Sequence, residues 1–280
     1  MTDRWNDWLG KPLHAQDLVA PPAVTRFAAM LDAPPPAGAN APQGFHWALC
    51  LPDAPTAEID VDGHPFRGTF LPPIALPRRM WVASEVSFVA PLPIGAQVER
   101  VSNIASVTEK DGGSGRLAFV EVDHVTRADG VVAVRERQTI VYREAAGSGQ
   151  VTGIAAETPP DLSGWTWHRR VVPGEVLLFR YSALTFNSHR IHYDLPYATG
   201  VEGYPGLVVQ GPLTASLLLD LCARELGPEA LASFAFRART PAFAGDALHL
   251  VGRRESNEIT LAALGHDGRT IISATATTRS

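Results

Sequence analysis

The stretch FRYSALTFNSHRIHYD at residues 179–194 decides both the predicted fold and the position of the predicted site. It is followed by YPGLVVQGPL at residues 204–213 and then by an apolar run. Within the first stretch Asn187 lies five residues before His192, and a Gly-Pro step later begins the apolar run. This order predicts a site where a water molecule, a base and the amino end of a helix lie together, and it indicates an enzyme.

The apolar run predicts one long helix over residues 211–226. Its leucines recur with helical spacing, and Gly227-Pro228 ends the pattern. From Met80 onward the pattern changes to strands separated by turns that contain glycine. The predicted strands are residues 81–90, 97–108, 116–127 and 131–143. One long helix against a curled antiparallel sheet predicts the α+β class.

The second half of the chain repeats the end of the first half at a shift of 150 residues. The matching pairs are Pro91 with Pro241, Gly95 with Gly245, Val98 with Leu248 and Val101 with Val251. A strand, a turn with glycine and another strand follow in both places, which indicates a tandem duplication. We therefore expect a degenerate first half at residues 1–145, a linker at 146–164 and a catalytic half at 165–280.

The first half lacks the pattern that marks the predicted site. Residues 70–77, FLPPIALP, contain three prolines where the second copy has its long helix. Proline removes a backbone donor and clashes with the preceding turn, so a helix cannot continue through this segment. We expect one active site per chain at the seam between the halves, with part of the substrate in the space that the missing helix leaves.

Composition limits the partners and the compartment. A formal net charge of −5 and a pI near 6.0 exclude the basic footprint of a nucleic-acid binder. Cys50 and Cys222 lie in apolar sequence, and no Cys, His and Asp cluster has the spacing of metal ligands, so we expect buried thiols and no metal. The amino terminus lacks a signal-peptide pattern, and no apolar run is long enough to span a membrane, which indicates a soluble cytoplasmic protein.

These motifs resemble the hydratase and dehydratase signature of the MaoC-like double-hotdog proteins. In that signature Asp-x-Asn-Pro-hydrophobic-His-x-Asp precedes a Gly-rich approach to a central helix, and here residues 187–194 read NSHRIHYD. LPRRMW at residues 76–81 is similar to the branch of itaconyl-CoA and mesaconyl-C4-CoA hydratases and mitochondrial-type hydroxyacyl-thioester dehydratases. The resemblance implies two antiparallel curled sheets, with one long central helix retained in the carboxy-terminal repeat. It also implies a hydro-lyase that acts on an acyl-CoA, with CoA as part of the substrate and no cofactor.

Adding water to a C=C bond conjugated to a thioester requires a base, a proton donor for the α-carbon and donors that stabilise the enolate oxygen. His192 is the candidate base because an imidazole exchanges protons near neutral pH. Asn187 stands where the wider family has aspartate; an amide cannot act as a base, so we expect its carbonyl to orient the water. The resemblance points to the backbone N–H of Gly211 for the enolate oxygen, with Pro212 in the first helical turn.

A branched C4 dicarboxylate of the itaconyl or mesaconyl type needs a cation in the acyl pocket. The substrate-binding candidates are Arg190, His189, Arg78 and Arg79. Each has a plainer interpretation as a solvated charge or a polar loop residue. Asn187 is also typical of a turn, and Asp194 is typical of a helix cap before Leu195-Pro196.

Three other functions remain open from the sequence. A 3-hydroxyacyl-thioester dehydratase of fatty-acid synthesis would need an apolar tunnel, whereas a hotdog thioesterase would release free CoA. A non-catalytic acyl-thioester binding module would not need His192. Exposed sheet edges and the habit of the family suggest a homodimer.

Overall fold

A computed structural model of the protein describes residues 3–112, 115–144 and 158–279. The strands are β1 (Pro12–Leu18), β2 (Arg78–Phe88), β3 (Gln97–Gly112), β4 (Gly115–Ala128), β5 (Val131–Arg143), β6 (Trp167–Val171), β7 (Leu231–Ala238), β8 (Leu248–Glu255), β9 (Glu258–Gly265) and β10 (Thr270–Thr278). The helices are α1 (Pro21–Met30), α2 (Glu175–Leu184), α3 (Leu195–Gly200) and α4 (Gly211–Leu226). Short 3₁₀ turns span Asp3–Trp8, Phe45–Ala48, Thr56–Glu58 and Arg190–His192. The α+β class is therefore confirmed.

The strands form one ten-stranded sheet in the order β1-β3-β4-β5-β2-β7-β10-β9-β8-β6. The order of the second five strands is the order of the first five reversed, as a tandem duplication requires. The turns before β3 and β8 also match, since Gly95 and Gly245 have φ of 92° and 91°. That left-handed conformation is one that glycine adopts without steric cost, which explains why both copies have it there.

The two curled sheets that the resemblance implies are joined edge to edge into one sheet. Strands β2 and β7 pair antiparallel from Ala83 opposite Arg237 to Ser87 opposite Ser233, and this pairing joins the halves. An unpaired inner edge would leave a row of backbone donors and acceptors without partners, and joining the two edges satisfies both rows. Most of the predicted linker lies outside the described residues, since 145–157 are not described.

The long helix α4 lies at the centre of the fold, as the apolar run predicts. Every residue from Leu213 to Cys222 is buried, which is the burial expected of a helix that is apolar around most of its circumference. The one buried charge in this span, Asp220, is paired with Arg169 and Arg224. The helix ends at Gly227, which has a positive φ of 89°.

The first half has no long helix between residues 44 and 80, all of which are described, and this prediction is confirmed. The space is not left open for an acyl group, however. Phe45, Trp47 and Leu49 are buried there, and a Cβ on Gly44 would come within 2.9 Å of Leu219 in α4. Apolar side chains of this segment fill the space of the missing helix because their burial is favourable and an empty cavity is not.

Two predictions from composition can be compared with the described residues. Cys50 and Cys222 are both buried and unpaired with each other, as expected. No helix in the described ranges has both the length and the apolar character needed to span a bilayer.

Candidate functional site

His192 is buried in the 3₁₀ turn that spans Arg190–His192. Its Nδ1 lies 2.7 Å from the carbonyl oxygen of Val208. A carbonyl can only accept, so Nδ1 carries the proton and Nε2 keeps its lone pair. Burial lowers the pKa of His192 to about 4. The hydrogen bond to Val208 raises this pKa, but its effect is smaller. The imidazole is therefore neutral at pH 7 and able to accept a proton at Nε2.

Val208 connects this turn to the segment that leads into α4. Its N–H donates to the Ile191 carbonyl oxygen at 2.9 Å, while its own carbonyl accepts from His192. The neighbouring Val209 N–H donates to Ala242 at 2.9 Å, and this bond ties the segment to the turn before β8. The backbone thus fixes the position of His192 relative to the start of α4.

Gly211 is in the first turn of α4, and Pro212 follows it as predicted. The first N–H groups of a helix have no partner within the helix and point toward its amino end. A Cβ on Gly211 would lie 3.6 Å from the Trp81 carbonyl oxygen of β2, so this helix end faces the first half. The preceding Gln210 is buried and donates to Leu178 and Ser182 of α2, each at 3.0 Å.

Asn187 has the geometry of a turn residue. Its Oδ1 accepts a hydrogen bond from the His189 N–H at 3.0 Å, which is the local contact by which asparagine stabilises a turn. Its own N–H donates to the Ser182 carbonyl oxygen at 2.9 Å. The contact of Asn187 with water stays a prediction, since one lone pair of Oδ1 is already in use.

His189 lies between two other imidazoles. Its ring centroid is 5.3 Å from that of His192, with the rings nearly perpendicular, and 4.1 Å from that of His64. Burial lowers the pKa of His189 far below its usual value, and the nearby histidines and Arg79 lower it further. The ring is therefore neutral and lies beside the candidate base.

His64 and Asp62 form a pair that the sequence does not predict. Nδ1 of His64 lies 3.0 Å from Oδ2 of Asp62, and the His64 N–H donates to Oδ1 at 2.8 Å. Burial alone would raise the pKa of Asp62, but the hydrogen bonds with His64 outweigh it and hold the pKa well below its usual range. Asp62 is therefore an ionised acceptor, and His64 Nδ1 donates to it. No local motif marks this pair, because its partner segment lies some 125 residues further along the chain.

Residues 61–64, which we call the docking loop, bind directly to the segment that leads to His192. The Arg190 N–H donates to the Asp62 carbonyl oxygen at 2.9 Å, and Ser188 Oγ donates to the Gly63 carbonyl oxygen at 2.5 Å. Gly63 has φ of 91°, and a Cβ there would come within 1.8 Å of the Ser188 carbonyl oxygen. The first half thus forms one wall of the site through backbone contacts that only glycine permits.

Two of the predicted substrate-binding arginines have carboxylate partners in the structure. Arg78 is buried, with Nε 2.8 Å from Oε2 of Glu202. Arg190 donates through Nη2 to Oδ2 of Asp194 at 2.7 Å. Oδ1 of the same Asp194 accepts from the Tyr197 N–H at 3.1 Å, which confirms the predicted cap of α3. Both arginines therefore hold the local structure, and their contact with substrate stays a prediction.

Arg79 differs from the other two arginines. In the described part of the chain no carboxylate is paired with it, and it lies opposite Tyr142 in the β2–β5 pairing. Burial raises the pKa of Tyr142, and the positive charge of Arg79 opposes that rise. Burial lowers the pKa of His64, and the charge of Arg79 lowers it further. Arg79 is thus a cation beside the histidine cluster that has no carboxylate partner there.

Asp62, His64 and His189 are also the residues that could hold a metal ion. One ligand atom of each lies within 4.8 Å of the others. The charge of Arg79 acts on both histidines and opposes the binding of a cation. Sequence spacing predicts no metal site and does not show this convergence, because Asp62 and His64 are distant from His189 along the chain.

The chain is similar to known proteins in sequence and in fold. The model of the family "Hydroxyacyl-thioester dehydratase type 2" matches residues 44–244. The chain is 43% identical over 274 residues to mesaconyl-C(4)-CoA hydratase of Chloroflexus aurantiacus, covering 97% of this chain and 96% of that protein. It is 25% identical over 233 residues to the mitochondrial hydroxyacyl-thioester dehydratase type 2 of Schizosaccharomyces pombe, covering 74% and 76%.

Solved structures show the same fold. A MaoC-like dehydratase superposes with a TM-score of 0.73 at 15% identity, covering 97% of this chain and 98% of that chain. HtdX of Mycobacterium tuberculosis superposes with a TM-score of 0.70 at 18% identity, covering 95% and 98%. The hotdog architecture is therefore confirmed.

The contact between Gly63 and Ser188 can be tested by a pair of glycine substitutions. Gly63→Ala and Gly68→Ala introduce the same backbone strain, since φ is 91° and 92°, but only Gly63→Ala meets a backbone oxygen at 1.8 Å. We expect Gly63→Ala to lower the free energy of unfolding by about 2 kcal/mol more than Gly68→Ala does. Urea unfolding measures both values, and equal losses would contradict the docking of this loop.

Proposed function

Because the chain belongs to the hydroxyacyl-thioester dehydratase type 2 family, we propose that this hydro-lyase adds water to mesaconyl-C4-CoA to form citramalyl-CoA. The observation that carries the choice of substrate is Arg79, a cation without a carboxylate partner in the described residues, beside the histidine cluster. The 43% identity to a mesaconyl-C(4)-CoA hydratase supports the same substrate.

The position of the free carboxylate in this substrate fits the position of Arg79. In mesaconyl-C4-CoA the carboxylate is attached to the β-carbon, which is the carbon that water attacks. The group that binds the carboxylate must therefore lie within a few bonds' length of the base. The charge of Arg79 lowers the pKa of His189. The centroid of the His189 ring lies 5.3 Å from that of His192. A guanidinium binds a carboxylate through two parallel hydrogen bonds, so it would also orient the acyl group.

The proposed reaction uses residues of this chain and no cofactor. His192 Nε2 takes a proton from water as the water oxygen bonds to the β-carbon, and the π electrons move onto the thioester oxygen. The Gly211 N–H donates to that enolate oxygen at the amino end of α4. The His192 imidazolium then returns the proton to the α-carbon, so that one water molecule has been added.

The aromatic packing of the first half favours a short acyl group over a fatty-acyl chain. The ring of Trp47 lies edge-on to those of Trp81 and Phe236, at centroid distances of 5.6 Å and 6.0 Å. Trp47 is held in place by a 3.1 Å hydrogen bond from Nε1 to the buried Glu136. A fatty-acyl chain would need an apolar tunnel, and these packed rings leave less room for one beside α4, so the fatty-acid dehydratase alternative receives less support.

One experiment tests the substrate and the roles of the two residues together. Mesaconyl-C4-CoA and 3-methylcrotonyl-CoA differ only in a carboxylate against a methyl group. We expect Arg79→Met to lower kcat/KM on the order of 100-fold for the first substrate and only a few-fold for the second, because the lost bonds are charge-assisted. His192→Ala should lower hydration of both by at least about 100-fold. Loss of the conjugated chromophore, followed alongside a free-thiol assay, measures hydration against thioester hydrolysis.

Arg78→Met is the matched control for the neighbouring arginine. Arg78 binds Glu202, so its loss should affect both substrates equally. Thiol release in step with chromophore loss would identify a thioesterase. Equal effects of Arg79→Met on the two substrates would show that Arg79 does not bind the substrate carboxylate.

We also propose that the enzyme is a cytoplasmic homodimer. The supporting observation is an exposed apolar face on α2 and the turn after it, where Val176, Phe179 and Phe186 expose 73%, 66% and 64% of their surface. Two buried free thiols fit a reducing compartment. Sedimentation velocity should give twice the 30.1 kDa chain mass, and a monomer at micromolar concentration would contradict the dimer.

A further inference from the structure

The segment that holds His192 supplies few free acceptors for the attacking water. A water in a productive orientation needs one acceptor for the proton that leaves and another for the O–H that stays. Oδ1 of Asn187 already accepts from His189, and Asp194 already binds Arg190 and the start of α3. Asp194 is thus engaged elsewhere, Asn187 Oδ1 keeps one lone pair, and the neutral ring of His189 is the other acceptor in this segment.

The docking loop brings a further acceptor from the first half to the His189 ring, which lies beside His192. Asp62 holds the proton of His64 on Nδ1, so Nε2 of His64 keeps its lone pair. The His64 ring packs at 4.1 Å on His189, and the His189 ring in turn lies 5.3 Å from that of His192. The His64 side chain is 24% exposed, so a small molecule can reach it.

The contacts around this pair hold it in one orientation. Both carboxylate oxygens of Asp62 bind His64, one the ring and one the backbone N–H. The Asp62 carbonyl oxygen accepts from Arg190 N–H, two residues before His192. The carboxylate, the imidazole and the His192 turn are therefore held together by backbone as well as side-chain bonds. An acceptor held this firmly costs little reorganisation when it binds water.

We propose that His64 is a second catalytic residue of the hydration reaction, whose Nε2 accepts a hydrogen bond from the non-reacting O–H of the attacking water. Asp62 is a positioning residue that keeps the His64 proton on Nδ1. This inference rests on the proposed function and adds a contribution of the first half to it.

The proton balance of the reaction is unchanged by this role. One proton of the water passes to His192 Nε2 and returns to the α-carbon. The other stays bonded to oxygen throughout, is donated to His64 Nε2 in the transition state, and becomes the hydroxyl hydrogen of the product. His64 therefore gains and loses no proton, and no further reactant is needed.

Two substitutions of His64 separate its acceptor role from its packing role. His64→Asn keeps a donor toward Asp62 but has no acceptor at the position of Nε2, whereas His64→Gln can place an amide oxygen there. For mesaconyl-C4-CoA we expect His64→Asn to lower kcat by about 30- to 100-fold with KM changed by less than about 3-fold. His64→Gln should keep kcat within about 10-fold of wild type.

Two substitutions of Asp62 test the positioning role in the same assay. In Asp62→Asn the amide can donate to Nδ1, which moves the His64 proton to Nε2, so kcat should fall as far as in His64→Asn. Asp62→Glu keeps the carboxylate and should recover most of the activity. His124→Asn serves as the control, because His124 is bonded to Ser102 in the sheet, outside the site, and should leave kcat unchanged.

The outcomes distinguish this inference from the proposed function. If the wild type hydrates no enoyl-CoA, the proposed function fails. If the wild type is active and folded His64→Asn, checked by thermal melting, keeps kcat within about 3-fold, only the role of His64 fails. A rise in KM with no advantage of Gln over Asn would assign His64 to packing alone and would also overturn the inference.

Discussion

The hydrogen bond from His192 Nδ1 to the Val208 carbonyl oxygen is the interaction on which the site depends. It sets the tautomer, while burial keeps the imidazole neutral, so Nε2 has a free lone pair. Val208 belongs to the segment that enters α4, and its N–H is bound to Ile191 next to His192. The base and the Gly211 helix end are therefore positioned by one short piece of backbone.

The two halves of the duplicated chain divide the work asymmetrically. The second half keeps the central helix, whereas the first half fills the equivalent space with Phe45, Trp47 and Leu49. Through the docking loop and β2, the first half still contributes charged and polar groups to the wall of the site. The joined edges of β2 and β7 hold this wall in place, since they make the ten strands one sheet. The first half thus lacks a central helix of its own and still contributes side chains to the candidate site.

Much of this fold was predictable because its signals are local. The period-two strands β2 to β5, the apolar helix α4 and the cap at Asp194 each depend on residues close together in sequence. Helix α2 was not predicted, because its buried residues Leu178, Tyr181 and Ser182 form only a narrow stripe. The union of the two sheets was also missed, since the pairing of β2 with β7 depends on which edges meet in space.

The candidate site was predictable only in part, because some of its residues are distant from one another in the sequence. His192, Asn187 and Gly211 lie in one motif, but the position of His64 depends on a loop that docks across the seam. From the sequence, the neighbouring Arg78 and Arg79 were equal candidates for binding the substrate. On a strand, successive side chains point to opposite faces, and the structure places Arg78 against Glu202 and Arg79 toward Tyr142 and the histidines.

Nitrogen-15 NMR of the histidine side chains measures the tautomer and the protonation state of His192, whose signals are assigned by their loss in His192→Gln. We expect His192 at pH 7 to be neutral, to carry its proton on Nδ1 and to titrate only near pH 4. A proton on Nε2, or a titration near the ordinary value of 6.5, would contradict this expectation, because the imidazole would then lack either the lone pair or the burial that the mechanism requires.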